Sequence, residues 1–294
     1  MGAVMPTSPA PAPQASRHIA EPRLSPAFWQ AWLAAQPIPP LSPPPWLPTT
    51  RRLVVLAPHP DDEVLACGAL LHGHVARGGN ALIVAVTDGE ASHAGDARWT
   101  PERLAECRRA ESSQGLRALG AAHVPVQRWG LADGAVGAGS PLLQERLAAL
   151  LRAQDVLVTT WRRDGHPDHE ACGAAAAAAC ALRGCTLLEA PIWMWHWADT
   201  THPDIPWHHL RAVPVPAQAL AAKQRALQAH ASQMAPRADG AGPVLDASIL
   251  RRAQWDQEYF FVNSQSQGQG QSQSQSQSQS QSQGPGTPDG RTLL

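Results

Sequence analysis

Four short apolar runs, each ending in a polar cluster and followed by a helical pattern, constrain what this chain can fold into more than any other feature. LVVLAP (Leu53 to Pro58) stops at HPDDE, after which Val64, Leu65, Leu70, Leu71 and Val75 keep helical spacing as far as Gly78 and Gly79. ALIVAVTDGE (Ala81 to Glu90) repeats the form, and Thr100 with Pro101 opens a helix reaching Gly120. VPVQRW (Val124 to Trp129) precedes a helix from Ser140 and Pro141 through Arg152, and DVLVTTW (Asp155 to Trp161) precedes an alanine-rich helix from about His169 to Leu182. Unalternating apolar strands interleaved with helices predict a parallel sheet covered on both faces, a doubly wound α/β domain. Ligands in such sheets bind beyond the carboxyl ends of the strands, so chemistry is expected just after Pro58, Val86, Trp129 and Trp161.

The ends of the chain differ from this middle. Residues 1–22 are rich in Pro, Ala and Ser, and residues 263–294 are mostly a Ser-Gln and Gly-Gln repeat. Neither can bury much apolar surface, so both are expected to be disordered, leaving one domain over 23–262. Within it, Ser25 to Gln36 reads as a short amphipathic helix packing Trp29, Trp32 and Leu33 on the core. Beyond Thr186 the pattern loosens. TLLEAPIWMWHW reads as a strand in which Trp193, Trp195 and Trp197 share a face, HHLRAVPVP as another strand, Ala217 to Gln233 as a helix, and EYFFV as a late strand.

Twenty-three basic against 24 acidic residues, a net charge of -1, leave no stripe to follow a phosphate backbone, so nucleic acid binding is excluded as an expectation. No export or lipid signal is visible at Met1, and Ala171 to Leu182 is too short and alanine-rich to span a bilayer. Five cysteines, none in a Cys-x-x-Cys pair, fit a reducing, cytoplasmic setting.

The first strand ends in His59-Pro60-Asp61-Asp62-Glu63, and the fourth is followed by His166-Pro167-Asp168-His169. Either loop alone has a plain structural explanation, since an Asp pair caps helices and His-Pro-Asp makes turns. Both at the carboxyl ends of parallel strands point to one crevice and a metal. A catalytic zinc site needs three protein ligands and an open position for water. One His and one Asp from the first loop with one His from the second supply them, leaving an Asp to take a proton and a His to donate to an oxyanion.

These motifs resemble the PIG-L/LmbE-like family, zinc-dependent enzymes that remove acetyl from N-acetylglucosaminyl conjugates and related amides. The resemblance covers about Arg51 to Phe261 and rests on Pro58 to Glu63, on Thr87-Asp88-Gly89-Glu90 and on Gly165 to His169, with weaker support from Arg108-x-x-Glu111, Lys223 and His230 to Gln233. It implies a Rossmann-like, mostly parallel sheet with helices on both faces. It also implies His59, Asp62 and His169 as ligands to Zn2+ (Fe2+ suits the same donors) and Asp61 as general base. His166 would stabilise the oxyanion as a cation or protonate the leaving amine, with Asp168 orienting it. The substrate would be a small glycoconjugate. An amidase of the same family acting on thiol or other amide conjugates is the nearest alternative, and a non-catalytic sugar-binding protein the more distant one.

Around that site Arg108 is a candidate substrate contact, or a helix arginine paired with Glu106 or Glu111. Asp88 is a candidate for a sugar hydroxyl or a supporting His, or a plain cap. Eleven tryptophans against one tyrosine and three phenylalanines suggest sugar stacking as well as core packing. Trp99 and Trp161, near strand ends, are the pocket candidates, and the Trp193 to Trp207 segment is expected to shape substrate choice. His93, His196, His202, His208 and His209 are expected to be structural or superficial.

Overall fold

The apolar runs form strands and the segments between them helices, in a computed structural model that describes residues 17, 19, 21–41, 47–238, 240 and 242–262. In chain order these are α1 (Pro26–Ala35), β1 (Leu53–Ala57), α2 (Asp62–Ala76), β2 (Ala81–Ala85), α3 (Pro101–Ala118), β3 (Val126–Arg128), α4 (Ser140–Leu150), β4 (Val156–Thr160) and α5 (Pro167–Arg183). Then follow β5 (Thr186–Ala190), α6 (Met194–Trp197), β6 (Leu210–Pro214), α7 (Ala217–Gln228), α8 (Ala231–Met234), α9 (Ala247–Arg252) and β7 (Gln257–Phe261). The N-terminal segment, apart from Arg17, Ile19, Glu21 and Pro22, and the tail 263–294 lie outside the described residues.

One sheet takes the order β3-β2-β1-β4-β5-β7-β6. The first five strands of that order are parallel, with Leu53 opposite both Ala81 and Val156, while β7 runs antiparallel to β5 and β6. The fold is therefore the mostly parallel α/β sheet that the strand pattern predicts.

Its core explains why the strands do not alternate. In β1, Leu53 and Val55 pack with Val64, Leu71 and Leu227 on the face covered by α2 and α7. Val54 and Leu56 pack with Leu143, Leu147 and Ala176 on the face covered by α4 and α5. With both faces buried, no position of the strand is free to be polar. Among the described residues no helix is long and apolar enough to cross a membrane.

A third cluster lies at one end of the sheet, around Trp29, Trp195 and Trp197. Ser25 starts α1 by accepting the Phe28 amide at 3.1 Å, and Pro26 needs no such partner. The helix then seats Trp29, which is fully buried, edge-on to Trp195 at 5.1 Å, its Nε1 donating to the Trp195 carbonyl.

The tryptophan strand is corrected here. β5 ends at Ala190; Pro191 has no amide for a ladder, and the Asp164 carboxylate accepts the amides of Ile192, Trp193 and Met194. The chain turns into α6, so the three tryptophans do not share a strand face. Trp195 and Trp197 enter the core, whereas Trp193 is half-buried. The helix expected over Ala217 to Gln233 is likewise two, α7 and α8, because His230 leaves helical geometry at φ -85°, ψ 55°.

Candidate metal centre and active site

Strand order reverses between β1 and β4, which are neighbours, so the loops after them open into one crevice. At its centre the Asp62 Oδ2 accepts the His59 amide at 2.9 Å and lies 3.2 Å from His59 Nδ1 and 3.3 Å from His169 Nε2. The outer nitrogen of each ring faces a carboxylate. His59 Nε2 is 3.2 Å from both Asp133 and Asp168, and His169 Nδ1 is 2.8 Å from Asp164. Those carboxylates hold a proton on each outer nitrogen, which turns the lone pairs of His59 Nδ1 and His169 Nε2 inward toward Asp62.

Three buried acceptors thus face one another, their ligand atoms within 4.8 Å. Such a set demands a positive charge. Burial alone would lower the two imidazoles, but hydrogen bonds that the Asp133, Asp168 and Asp62 carboxylates accept raise His59 well above its ordinary value. The Asp62 and Asp164 carboxylates likewise push His169 up to about 9. Burial would raise Asp62, yet His169 and His59 hold it far below the usual carboxylate range. The donors therefore fit a divalent cation, and a His/His/carboxylate set is one that zinc accepts.

Asp61 is placed differently. It is buried, with φ 131° and ψ -28°, a left-handed conformation costing a non-glycine residue of order 1–3 kcal/mol. Two partners hold it there: its amide donates to Glu63 Oε2 at 3.0 Å, and its carboxylate accepts Arg108 Nη2 at 3.1 Å. Burial raises the Asp61 carboxyl to about 7 against the pull of Arg108. Arg108 is itself buried and also donates to the carbonyls of Gly89 and Pro60, tying the loop after β1 to the loop after β2. It is not a surface arginine paired with Glu106 or Glu111. Glu111 instead accepts Ser232, and Glu63 accepts Ser112 at 2.6 Å.

His166 stands beside both imidazoles, its ring centre 4.8 Å from that of His59 and 4.9 Å from that of His169. Burial, reinforced by the charges of His169 and His59, lowers it to about 4. It caps α5, Nδ1 accepting the Asp168 amide at 3.2 Å, so the proton is on Nε2. Burial therefore works against the cation expected at His166. Asp168 hydrogen-bonds it through the backbone amide, while the Asp168 carboxylate lies within 4.8 Å of its ring nitrogen. The Asp168 carboxylate accepts the Gly134 and Val136 amides and faces His59 Nε2 at 3.2 Å, so its hydrogen bonds go to His59 rather than to the His166 ring.

A cavity of about 320 Å³ opens over these groups, walled also by Asp133, Trp193, Gln233, Arg237 and Leu245. Three sequence candidates lie away from it. Asp88 is held by Arg109 at 2.7 Å and Arg128 at 3.1 Å. Trp99 packs on His93 and Arg103. Trp161 is a core residue, 4.5 Å from Phe261 and stacked on Trp197, because its side chain leaves the strand end toward the tryptophan cluster. Asp133 and Asp164 escaped sequence reasoning as partners of His59 and His169. Asp133-Gly134 follows β3 as the other polar clusters follow their strands, and that was the available signal.

Residues 54–180 match the family model described as PIG-L, GlcNAc-PI de-N-acetylase. A stretch of 92 residues, 29% of this chain, is 37% identical to 1D-myo-inositol 2-acetamido-2-deoxy-alpha-D-glucopyranoside deacetylase 1 of Catenulispora acidiphila; the match spans 27% of that protein, about a quarter of its length. Among solved structures, a triple mutant of a deacetylase of the teicoplanin biosynthetic pathway is similar at a TM-score of 0.53, with 21% identity over 72% of this chain and 98% of that one. The zinc-inhibited form of a teicoplanin deacetylase gives 0.50, with 19% identity over 62% and 85%. At these identities the two structures establish the fold.

Proposed function

We propose that this chain, whose residues 54–180 match the PIG-L family model, is a metal-dependent hydrolase that removes acetyl from an N-acetylglucosaminyl-type conjugate. The observation that carries this reading is the set of inward lone pairs of His59, Asp62 and His169 with a second carboxylate, Asp61, beside them and not spent on the cation. A pure binding protein has no use for that extra proton acceptor. The relatives named above are deacetylases, one of them acting on an acetamido sugar by its name.

His59 Nδ1, Asp62 and His169 Nε2 would hold the cation, zinc by resemblance to the family. When bound, it polarises the amide carbonyl and makes water acidic enough to lose a proton near neutral pH. Asp61, held by Arg108, accepts the proton of the attacking water. His166 donates its Nε2–H to the oxygen of the tetrahedral species, which a neutral imidazole does without charge repulsion from the cation. Because His166 is neutral, the proton for the departing amine comes back from Asp61, whose raised affinity suits both halves of the transfer. Arg108 acts by positioning the Asp61 carboxylate, while Trp193, Asp133 and Gln233 line the space a sugar would fill. The catalytic unit is residues 23–262, and five cysteines without a disulfide accord with a cytoplasmic setting.

The test is acetate release from a panel of N-acetylglucosaminyl compounds by metal-loaded protein. Asp61→Asn should lower turnover by about 10²–10⁴-fold with bound metal unchanged. Wild-type-like turnover in that variant would remove the base. No acetate from protein that holds its metal would favour an amidase of the same family acting on other amides.

A further inference from the structure

The segment before α1 reaches the catalytic cavity and is fastened on both sides of it. Arg17 pairs with Glu170, its Nε 3.2 Å from Oε1, and the same Oε1 accepts the Gly165 amide at 3.0 Å, which ties Arg17 to the loop that carries His166. The approach is close: a Cβ on Gly165, at φ 97°, would stand 2.8 Å from the Arg17 carbonyl oxygen. Farther along, the Arg23 amide donates to the His196 carbonyl at 2.9 Å and its Nη1 to the Trp197 carbonyl at 3.2 Å, with Asp199 at 3.4 Å. Between these two anchors Ile19 lines the cavity that holds His59, Asp61, Asp62 and His166.

Ile19 is one of three apolar side chains there that have no place in the core. Ile19, Val244 and Leu245 all line the cavity, and among the described residues none of them belongs to a hydrophobic cluster. The Leu245 amide donates to the Gln233 carbonyl at 2.9 Å, which holds the second of these segments beside α8. Leu65 and Trp193 add further apolar surface to the same cavity. Apolar side chains that wall a cavity instead of a core gain from burial only when a ligand covers them. Hydroxyl groups laid against this wall would lose their water without finding partners, whereas an alkyl or aryl group loses nothing.

We propose that Ile19 is a specificity-determining residue: the anchors at Arg17 and Arg23 set it on the wall of the catalytic cavity, where with Val244 and Leu245 it takes an alkyl or aryl aglycone of the substrate. The inference rests on the deacetylase reading for the sugar and its acetyl group, and adds the kind of group that the sugar carries. It also gives the segment before α1, which has no core of its own, a part in substrate choice.

The test compares acetate release from the methyl and phenyl β-glycosides of N-acetylglucosamine by the metal-loaded full chain. Wild type should favour the phenyl glycoside in kcat/KM. Ile19→Ser should lower that preference by about tenfold, with the loss in the KM of the phenyl glycoside, and Ile19→Leu, which keeps the apolar surface, should retain it. Ile19 is half-buried and packs in no core cluster, so these variants leave the core intact. Equal kcat/KM for the two glycosides in wild type would overturn the proposal, and so would an unchanged preference in Ile19→Ser. If neither glycoside releases acetate, calorimetric titration with both reads the same preference as affinity, which separates a failed deacetylase reading from a failed subsite. Equal affinities, or no binding of either, would then overturn the subsite as well.

Discussion

Asp61 and Asp62 are adjacent in the chain and opposite in character. Asp62 is surrounded by imidazoles and held strongly acidic, whereas Asp61 is buried against a single guanidinium and rises to about 7. Only the backbone separates them: the positive φ at Asp61 sends its carboxylate to Arg108 while Asp62 begins α2 and faces the histidines. At this scale Asp164→Asn should lower metal affinity by about 10–100-fold, because it weakens the hold on the His169 tautomer; metal titration measures it. Asp133→Asn should be milder, since Asp168 still faces His59. The metal-free protein should also depend on pH. His169 rises from its ordinary 6.5 to about 9 on folding, so its protonated form adds stability that is complete below pH 6.5 and lost as pH climbs to about 9. Thermal melts of chelated protein should fall across that window and recover with added metal. A flat profile would mean that the His169–Asp62 contact is absent without the cation.

Elements position these residues through a few close contacts. Gly173 in α5 passes so near β4 and the following loop that a Cβ would stand 2.5 Å from the Arg162 amide nitrogen and 2.8 Å from the Thr160 carbonyl oxygen. Both are backbone atoms that cannot turn aside. Gly173→Ala should therefore displace the helix that carries His169, destabilising the fold by about 1–3 kcal/mol in denaturant titration and weakening metal binding with it. Trp29 offers a contrasting case, since α1 docks through it onto Trp195 of α6 and touches none of the groups around Asp62. Trp29→Ala should lose about 3–5 kcal/mol of stability while the metal affinity of the folded fraction stays the same. The strands and their helices were legible because both faces of the sheet bury apolar side chains, which marks each strand in the chain itself. The turn at Trp193 was not legible, because the acceptor that ends the strand, Asp164, is remote in sequence from Ile192, whose amide it accepts only in the folded sheet.

Over the whole molecule, the crevice exists because the strand order reverses between β1 and β4, and α8 with the segment after it adds Gln233, Arg237 and Leu245 to its wall. The repetitive tail from Ser264 carries no ligand or acid–base side chain in its Ser-Gln tract. Deleting 264–294 should leave both turnover and melting temperature at wild-type values, and a large loss of either would assign the tail a role. By itself the sequence determined the class of fold, the two loops that meet, and the residue types that could hold a cation, since strand burial and strand-end polarity are local properties of the chain. Tertiary structure alone decided which carboxylate faces which histidine, that burial lowers His166, and that Trp161 belongs to the core. Each of those depends on burial and on distances between residues remote in sequence, which no local pattern encodes.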